Sequence, residues 1–315
     1  MDLKRNKPAV DFLFAGYSLI AGIIWWVRAA DLPAFPLALA GHLAAAAVLV
    51  LLPGCGHRPR RAVMVVRSVY PFVLWAAAWA EIGWLFTATG PAVFDALVMK
   101  ADRVLFGTHW NEHLAGHWPW LRDIMGLSYL SYYLLILGPP LLLAATRRFR
   151  EFQRYITALM ATYLACFAVY LMFPVLGPRD LSHAVGQPAR TVGGIFGPVI
   201  EAFFAAGDSL GTAFPSSHCA GSVATALLVT WFFGSRRGRV AAAWAALIVL
   251  STIYTNNHYT IDAAAGTALA LAAVGLVRFG SRPGAKAAAG GASLVRLGRI
   301  PCPGVGTVDS RGGLS

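Results

Sequence analysis

Residues 214–262 read FPSSHCAGSVATALLVTWFFGSRRGRVAAAWAALIVLSTIYTNNHYTID. Two apolar runs, 217–233 and 240–257, flank a short insert carrying Gly234, Arg236, Arg237 and Arg239. A chain crossing a bilayer as a helix needs about 20 predominantly apolar residues, because a helix satisfies its own backbone polar groups in hydrocarbon. The two runs therefore predict a transmembrane hairpin. Its basic turn faces one side, and its two ends rich in Ser, His and Asn, 215–218 and 255–262, meet on the other. A third apolar run, 261–279, follows directly.

Outward from the hairpin, five earlier segments fit the same template: 12–30, 35–53, 66–89, 126–146 and 153–173. Composition agrees, with 57% hydrophobic residues, 13% charged residues and a mean hydropathy of +0.61. A water-covered chain would carry about 25% charge. The expected architecture is an all-α, polytopic bundle of about eight transmembrane helices, the last five forming its core. Residues 1–90 are read as N-terminal transmembrane helices, 91–282 as the catalytic membrane domain, and 283–315 as a Gly/Ala-rich disordered tail. Lys4, Arg5 and Lys7 ahead of the first apolar run superficially fit a signal peptide. No clear small-residue cleavage site follows, so a retained first helix is expected.

The net charge of +12 could suggest nucleic acid, but the basic residues sit in short clusters between apolar runs. No basic face interleaved with exposed aromatics is present, and nucleic-acid binding is excluded on that ground. The clusters set topology instead. Of 26 Lys and Arg residues, twenty fall at the N-terminus, in the loops around Arg58, Arg147 and Arg236, and after Arg278. Six remain for the other side: Arg28, Lys100, Arg103, Arg122, Arg179 and Arg190. The positive-inside rule then places both termini in the cytoplasm of an inner or plasma membrane. Cys55, Cys166, Cys219 and Cys302 have no paired spacing, so they indicate neither a disulfide framework nor a zinc site.

The hairpin delivers His218, His258 and Asp262 to one membrane face, the outer one. Ionisable groups at the edge of a bilayer are costly and mark a functional site by default. Ser216 or Ser217 is placed to cap the helix after it, whose free N–H groups and positive dipole end attract an anion. Asp262 lies one helical turn after His258, within reach of an imidazole nitrogen. A carboxylate there fixes the tautomer, leaves the other nitrogen nucleophilic and stabilises the growing positive charge. His218 is suited to protonate a departing oxygen.

Pro215-Ser216-Ser217-His218 and His258-Tyr259-Thr260-Ile261-Asp262 resemble the second and third signatures of the type 2 phosphatidic acid phosphatase (PAP2) superfamily. Ser217 stands where the family commonly has Gly. Ser251 takes the serine place of the third signature, but Thr252 replaces its arginine. The first signature, a Lys followed by Arg-Pro, is absent. Together with ADRVLFG (101–107), YLSYY (129–133) and Phe173-Pro174, the pattern resembles the inositol phosphorylceramide synthase and sphingomyelin synthase branch, over roughly residues 95–270. The resemblance implies His258 as a nucleophile forming a phosphohistidine, Asp262 as its partner and His218 as general acid. It further implies Ser216 and Ser217 on phosphate oxygens, Tyr259 as a substrate-side residue, and chemistry without metal or cofactor. With the first signature missing, Arg179 is the candidate phosphate clamp, with Arg190 as substitute. The partners it implies are membrane lipids, a phospholipid donor and a lipid or polyol acceptor.

Other readings of the same residues stand beside this one. Ser217, His258 and Asp262 could form a hydrolase triad, although no Gly-x-Ser-x-Gly elbow is present and His218 would have no role. His109, His113 and His117 recur every four residues, which suits either zinc or a wet interfacial helix. Glu81 inside the third helix is read as either structurally paired or in contact with substrate. Phosphotransferase, phosphatase and a silent scaffold or transporter all remain open, although no internal repeat of transporter type is visible.

Overall fold

The computed structural model describes residues 7–51, 61–114, 118–184, 186 and 195–280. All eight apolar segments form helices: α1 (Ala9–Ala29), α2 (Phe35–Leu51), α3 (Arg61–Thr89), α6 and α7 (Pro119–Leu130 and Tyr132–Ala145), α8 (Phe149–Met172), α11 (Ser217–Phe233), α12 (Ser235–Tyr254) and α13 (Thr260–Gly280). Four short helices fill the connections: α4 (Asp95–Phe106), α5 (Trp110–Leu114), α9 (Gly177–Ala184) and α10 (Gly197–Gly207). Residues up to Arg278 belong to one compact unit; of the second, Phe279–Ser315, only the end of α13 is described. Among the described residues the fold is all-α and polytopic. Five stretches are long and apolar enough to cross a membrane, and the fourth segment counts as one, Trp120–Ala145. Large apolar side chains such as Val27, Leu37 and Leu276 are three-quarters or so exposed, which suits lipid and not water.

Helix α8 is the central column. Tyr155, Ile156, Leu159, Tyr163 and Phe167 on it are fully buried, and it packs against α1, α3, α7 and α11. Around it Trp79 of α3 meets both Phe167 and Tyr170, with ring centroids 5.8 and 6.4 Å apart. Polar pairs tie the N-terminal helices to one another. Asp11 accepts both of its 2.8 Å bonds from Arg67 and a further bond from the Tyr70 hydroxyl. Glu81 accepts from Trp25 Nε1 and pairs with His42 Nε2, each at 2.6 Å. Its carboxylate joins α1, α2 and α3, the structural pairing that was one of the two readings of Glu81.

Several helices start earlier than expected, among them α3 at Arg61 and α8 at Phe149. The fourth segment starts earlier, at Pro119, and is interrupted at Ser131. The Ser131 hydroxyl turns back to the Ser128 carbonyl and accepts from Trp244 Nε1, both at 2.7 Å. The seventh starts at Ser235 and draws Arg236, Arg237 and Arg239 into its first turns, so the hairpin turn shrinks to Gly234. Its φ of +91° lies where a side chain is disfavoured, so glycine makes this tight reversal possible.

Candidate active site

The sixth segment begins where Ser216 caps it. The Ser216 hydroxyl accepts from the Cys219 amide at 3.3 Å, and the Ser216 amide donates to the Asp262 carbonyl at 3.0 Å. One serine therefore organises the start of α11 and ties it to the first turn of α13. Close approach at this point depends on Gly266. A Cβ there would press on the Ser216 carbonyl oxygen and lie 3.3 Å from the Ala220 amide nitrogen. The absence of a side chain at Gly266 is what lets the two helix ends meet. Gly221 serves a different neighbour, Tyr163 of α8.

His258 comes from the turn between α12 and α13. Asn256 adopts a left-handed conformation, φ +59°, which asparagine tolerates better than most residues. The Thr252 carbonyl accepts from the amides of Asn257 and His258, at 3.1 and 3.2 Å, and Asn111 donates to the Asn256 side chain at 2.8 Å. Helix α13 then starts with Asp262 in its third position. Its Oδ2 reaches back to the Tyr259 amide at 2.8 Å, half of a capping box. The same Oδ2 stands 3.5 Å from His258 Nδ1, an ion-pair distance longer than a hydrogen bond. The carboxylate thus faces Nδ1 and not Nε2.

His218 and His258 lie with ring centroids 6.3 Å apart. Both line one cavity of about 280 Å³, together with Ser217, Arg179, Asp180 and Asp208. Its other walls are largely aromatic, including Trp75, Trp79, Tyr133 and Phe204. His218 is held between two tyrosines, stacked on Tyr129 with centroids 5.0 Å apart and tilted against Tyr132 at 4.3 Å. The Tyr132 hydroxyl is anchored in turn to the Tyr163 hydroxyl at 2.7 Å. Tyr129 and Tyr132 are three residues apart, so they share a face across the Ser131 interruption.

Arg179 reaches the cavity from the start of α9. Its guanidinium bonds Asp180 Oδ1 at 2.8 and 3.0 Å, pairs with Asp208 and lies 3.6 Å over the Phe204 ring. Burial alone would lower its pKa, but Asp208 and Asp180 hold it above the ordinary value. Burial raises the Asp180 carboxyl; Arg179 opposes that rise and Asp208 adds to it. The loop carrying Arg179 is positioned by Asp95, whose two oxygens accept from the amides of Leu176 and Gly177, both at 2.9 Å. Gly177 has φ +83°, and a Cβ there would meet Ala213 at 2.7 Å, so this join of two loops also requires glycine.

Some expected site residues lie elsewhere. Ser216 is fully buried behind the cavity, its hydroxyl engaged as the cap, whereas Ser217 lines the cavity. The Tyr259 ring packs with Val98, Val175 and Ala213 and contributes to the site only through its amide. Thr252, at the place of the family arginine, is buried against Cys219, with Oγ1 and Sγ 3.5 Å apart, and offers no charge to a phosphate. Arg190 and His117 lie outside the described residues. His109 and His113 serve separate partners: His109 Nδ1 pairs with Asp102 at 3.0 Å, and His113 Nε2 with Thr108 Oγ1 at 2.7 Å.

Sequence reasoning missed four residues that shape the site. Asp102 is fully buried and accepts from the Ile261 amide at 2.8 Å, pinning the turn that carries Asp262. Tyr129 and Tyr132 enclose His218, and Asp208 faces Arg179. For three of them the signal lay in ADRVLFG and YLSYY, which resembled family motifs without an assigned role. Asp208 carried no signal. A family model described as PAP2 superfamily matches residues 96–276, more than half of the chain, and all of these residues fall inside it. No curated protein and no solved structure matches the chain significantly.

Proposed function

The chain belongs to the PAP2 superfamily, and from that premise we propose that it is a lipid phosphotransferase working through a phosphohistidine on His258. Membership supports phosphatase or phosphotransferase chemistry in general. The observation that carries the finer reading is the 6.3 Å separation of two imidazoles across one cavity. Rings this close can both reach a single phosphoryl group, one imidazole as the attacking nitrogen and the other as hydrogen-bond donor to the leaving oxygen.

In the first step His258 Nε2 forms a bond to phosphorus while the bond from phosphorus to the lipid alcohol oxygen breaks. His218 gives that oxygen its proton, and the lipid alcohol leaves. Asp262, facing Nδ1, stabilises the charge that develops on the His258 ring. In the second step an acceptor hydroxyl attacks phosphorus, the bond to Nε2 breaks, and the acceptor proton passes to His218. Ser217 and the free N–H groups at the start of α11 favour the negative phosphoryl oxygens, and Arg179 brings a guanidinium to the cavity, where Asp180 and Asp208 hold it. The apolar and aromatic cavity walls suit a lipid.

Residues 91–282 would form the catalytic membrane domain, with 1–90 adding helices. The asymmetry of basic residues supports cytoplasmic termini and a site on the extracytoplasmic face of the plasma membrane. The motif pattern favours the synthase-like branch, in which an alcohol and not water accepts the phospho-group.

His258→Ala should abolish turnover and His218→Ala nearly so, both in folded protein; wild-type-like turnover by His258→Ala would falsify the mechanism. Purified protein is given candidate phospholipids with and without an alcohol acceptor. Acceptor-dependent product supports the transferase, and free phosphate released equally in both cases makes it a phosphatase. A cysteine introduced near Gly186 should react with an impermeant thiol reagent in intact cells. Labelling only after permeabilisation inverts the topology.

A further inference from the structure

Helix α4 is too short to cross a membrane, yet it carries an open apolar face. Helical spacing divides its side chains into three sectors. Asp95, Val98 and Asp102, at i, i+3 and i+7, are buried. Leu97, Ala101, Val104 and Leu105 recur at i, i+4, i+7 and i+8, an amphipathic stripe. Of these, Leu97, Val104 and Leu105 are 56, 74 and 66% exposed. Lys100 and Arg103, three residues apart, form an exposed basic edge beside the stripe, and neither makes an ion pair among the described residues.

An apolar stripe beside a basic edge suits a helix lying in a membrane interface, its stripe among the acyl chains and its cations on lipid phosphates. The chain brings α4 to that level. Only residues 90–94 separate it from the end of α3, a helix that includes a candidate span. On the way back into the bilayer Trp110, Trp118 and Trp120 are all exposed, and Trp120 opens the next span. Indole rings of this kind favour the headgroup layer. The buried sector ties the same helix to the candidate site. Asp95 accepts from the amides of Leu176 and Gly177, both at 2.9 Å, in the loop that leads to Arg179. Asp102 accepts from the Ile261 amide at 2.8 Å, between His258 and Asp262. The two carboxylates stand two turns apart on one helix, so a shift of α4 moves both loops together.

We propose that α4 is an interfacial helix that docks on the bilayer surface: Leu97, Val104 and Leu105 enter the leaflet on the side of the site, Lys100 and Arg103 pair with lipid phosphates, and Asp95 and Asp102 pass that seating to the two loops. The bilayer itself thereby sets the height of the loops against the headgroup plane. The partner is a lipid surface, with anionic headgroups matching the two unpaired cations. This docking surface does not depend on which reaction the histidines perform.

The test uses the full-length protein in bilayer discs of phosphatidylcholine, with and without phosphatidylglycerol. Cys55 and Cys302 are replaced by serine, and the buried Cys166 and Cys219 are kept. A fluorophore is attached in turn to Ala96→Cys, Leu97→Cys, Arg103→Cys, Val104→Cys and Leu105→Cys. Lipids brominated on their acyl chains should quench the probes at 97, 104 and 105 about twofold or more above those at 96 and 103, because such a stripe lies ~5–10 Å into the interface. Weak and equal quenching along α4 overturns the proposal. So does a dry emission spectrum without bromine quenching, which marks a protein partner or a second copy. Lys100→Gln/Arg103→Gln should remove the extra quenching that phosphatidylglycerol adds at 104, and an unchanged response refutes the phosphate pairing. For the link to the site, Leu97→Glu/Val104→Glu should speed deuterium exchange in the peptides carrying Leu176, Gly177 and Ile261 by about tenfold, the worth of roughly one hydrogen bond. Unchanged exchange there refutes the link, and the quenching scan stands whether or not that variant folds. Neither readout needs turnover, so failure here and failure of the catalytic reading are told apart.

Discussion

Replacing Gly266 by alanine should separate the two histidines without touching either. Gly266 lies one turn after Asp262 in α13. An added Cβ would press on the Ser216 carbonyl oxygen, with the Ser216 carbonyl carbon at 3.2 Å and the Ala220 amide nitrogen at 3.3 Å. All three are backbone atoms at the start of α11, so no side chain can swing aside. Restoring ordinary contact, about 3.5–4.0 Å between carbons, requires the two helix ends to part by roughly 1 Å. Overpacking of this kind costs about 1–3 kcal/mol in stability. For the reaction, a misplacement of about 1 Å costs on the order of 100-fold in rate. The assay is kcat for lipid-alcohol release by purified protein, with folding checked by thermal unfolding. Gly275→Ala is the control, because a Cβ there has nothing within 4 Å. That change should be neutral or stabilising by up to about 1 kcal/mol through helix propensity. A folded Gly266→Ala protein with wild-type kcat would refute the idea that this helix contact sets the spacing of the rings.

Asp102→Ala leaves the Ile261 amide and His109 Nδ1 without their acceptor in a buried site. It should cost about 3–5 kcal/mol, read as a lower thermal midpoint. Asp102→Asn keeps one acceptor and should recover part of both midpoint and kcat; no difference between the two variants would count against this anchoring role. Glu81→Leu orphans Trp25 Nε1 and His42. It should lower the midpoint by a few kcal/mol equivalents, about 1–3 per orphaned group, while kcat per folded molecule holds. A selective loss of kcat would return Glu81 to the substrate. Burial holds the Asp95 carboxyl above its ordinary range despite the amide bonds from Leu176 and Gly177. Its folded pKa therefore exceeds the unfolded one, so the contribution to stability is full below the unfolded value and lost as pH rises through the folded value. Thermal midpoints of wild type and Asp95→Asn should differ in slope across that window, and parallel curves would contradict the assignment.

The fold was legible because hydrocarbon imposes one rule. Long apolar runs must be helices, and all eight such segments are helical. The basic clusters, too, could be read as local quantities. Boundaries were less secure where local chemistry competes with length. The fourth segment begins ahead of its apolar run, at Pro119, and the arginines of α12 join a helix because Gly234 alone makes the turn. The site was half legible. His218, His258 and Asp262 announce themselves by residue type, by spacing and by falling at the same end of a predicted hairpin. Ser216 and Tyr259 looked equally eligible in sequence, yet one hydroxyl caps a helix and one ring fills a satellite core.

By itself the sequence determined a helical membrane protein, the two histidine motifs and the end of the hairpin at which they meet. Each of these follows from residue type and separation along the chain. Only the tertiary structure decided that the imidazoles stand 6.3 Å apart across one cavity, that Tyr129 and Tyr132 enclose one of them, and that Asp208 shares Arg179 with Asp180. Most of those pairings join residues of different helices, and Gly266 lets the backbones at the start of α11 and α13 touch. A linear pattern records which groups are available; it does not record which of them meet.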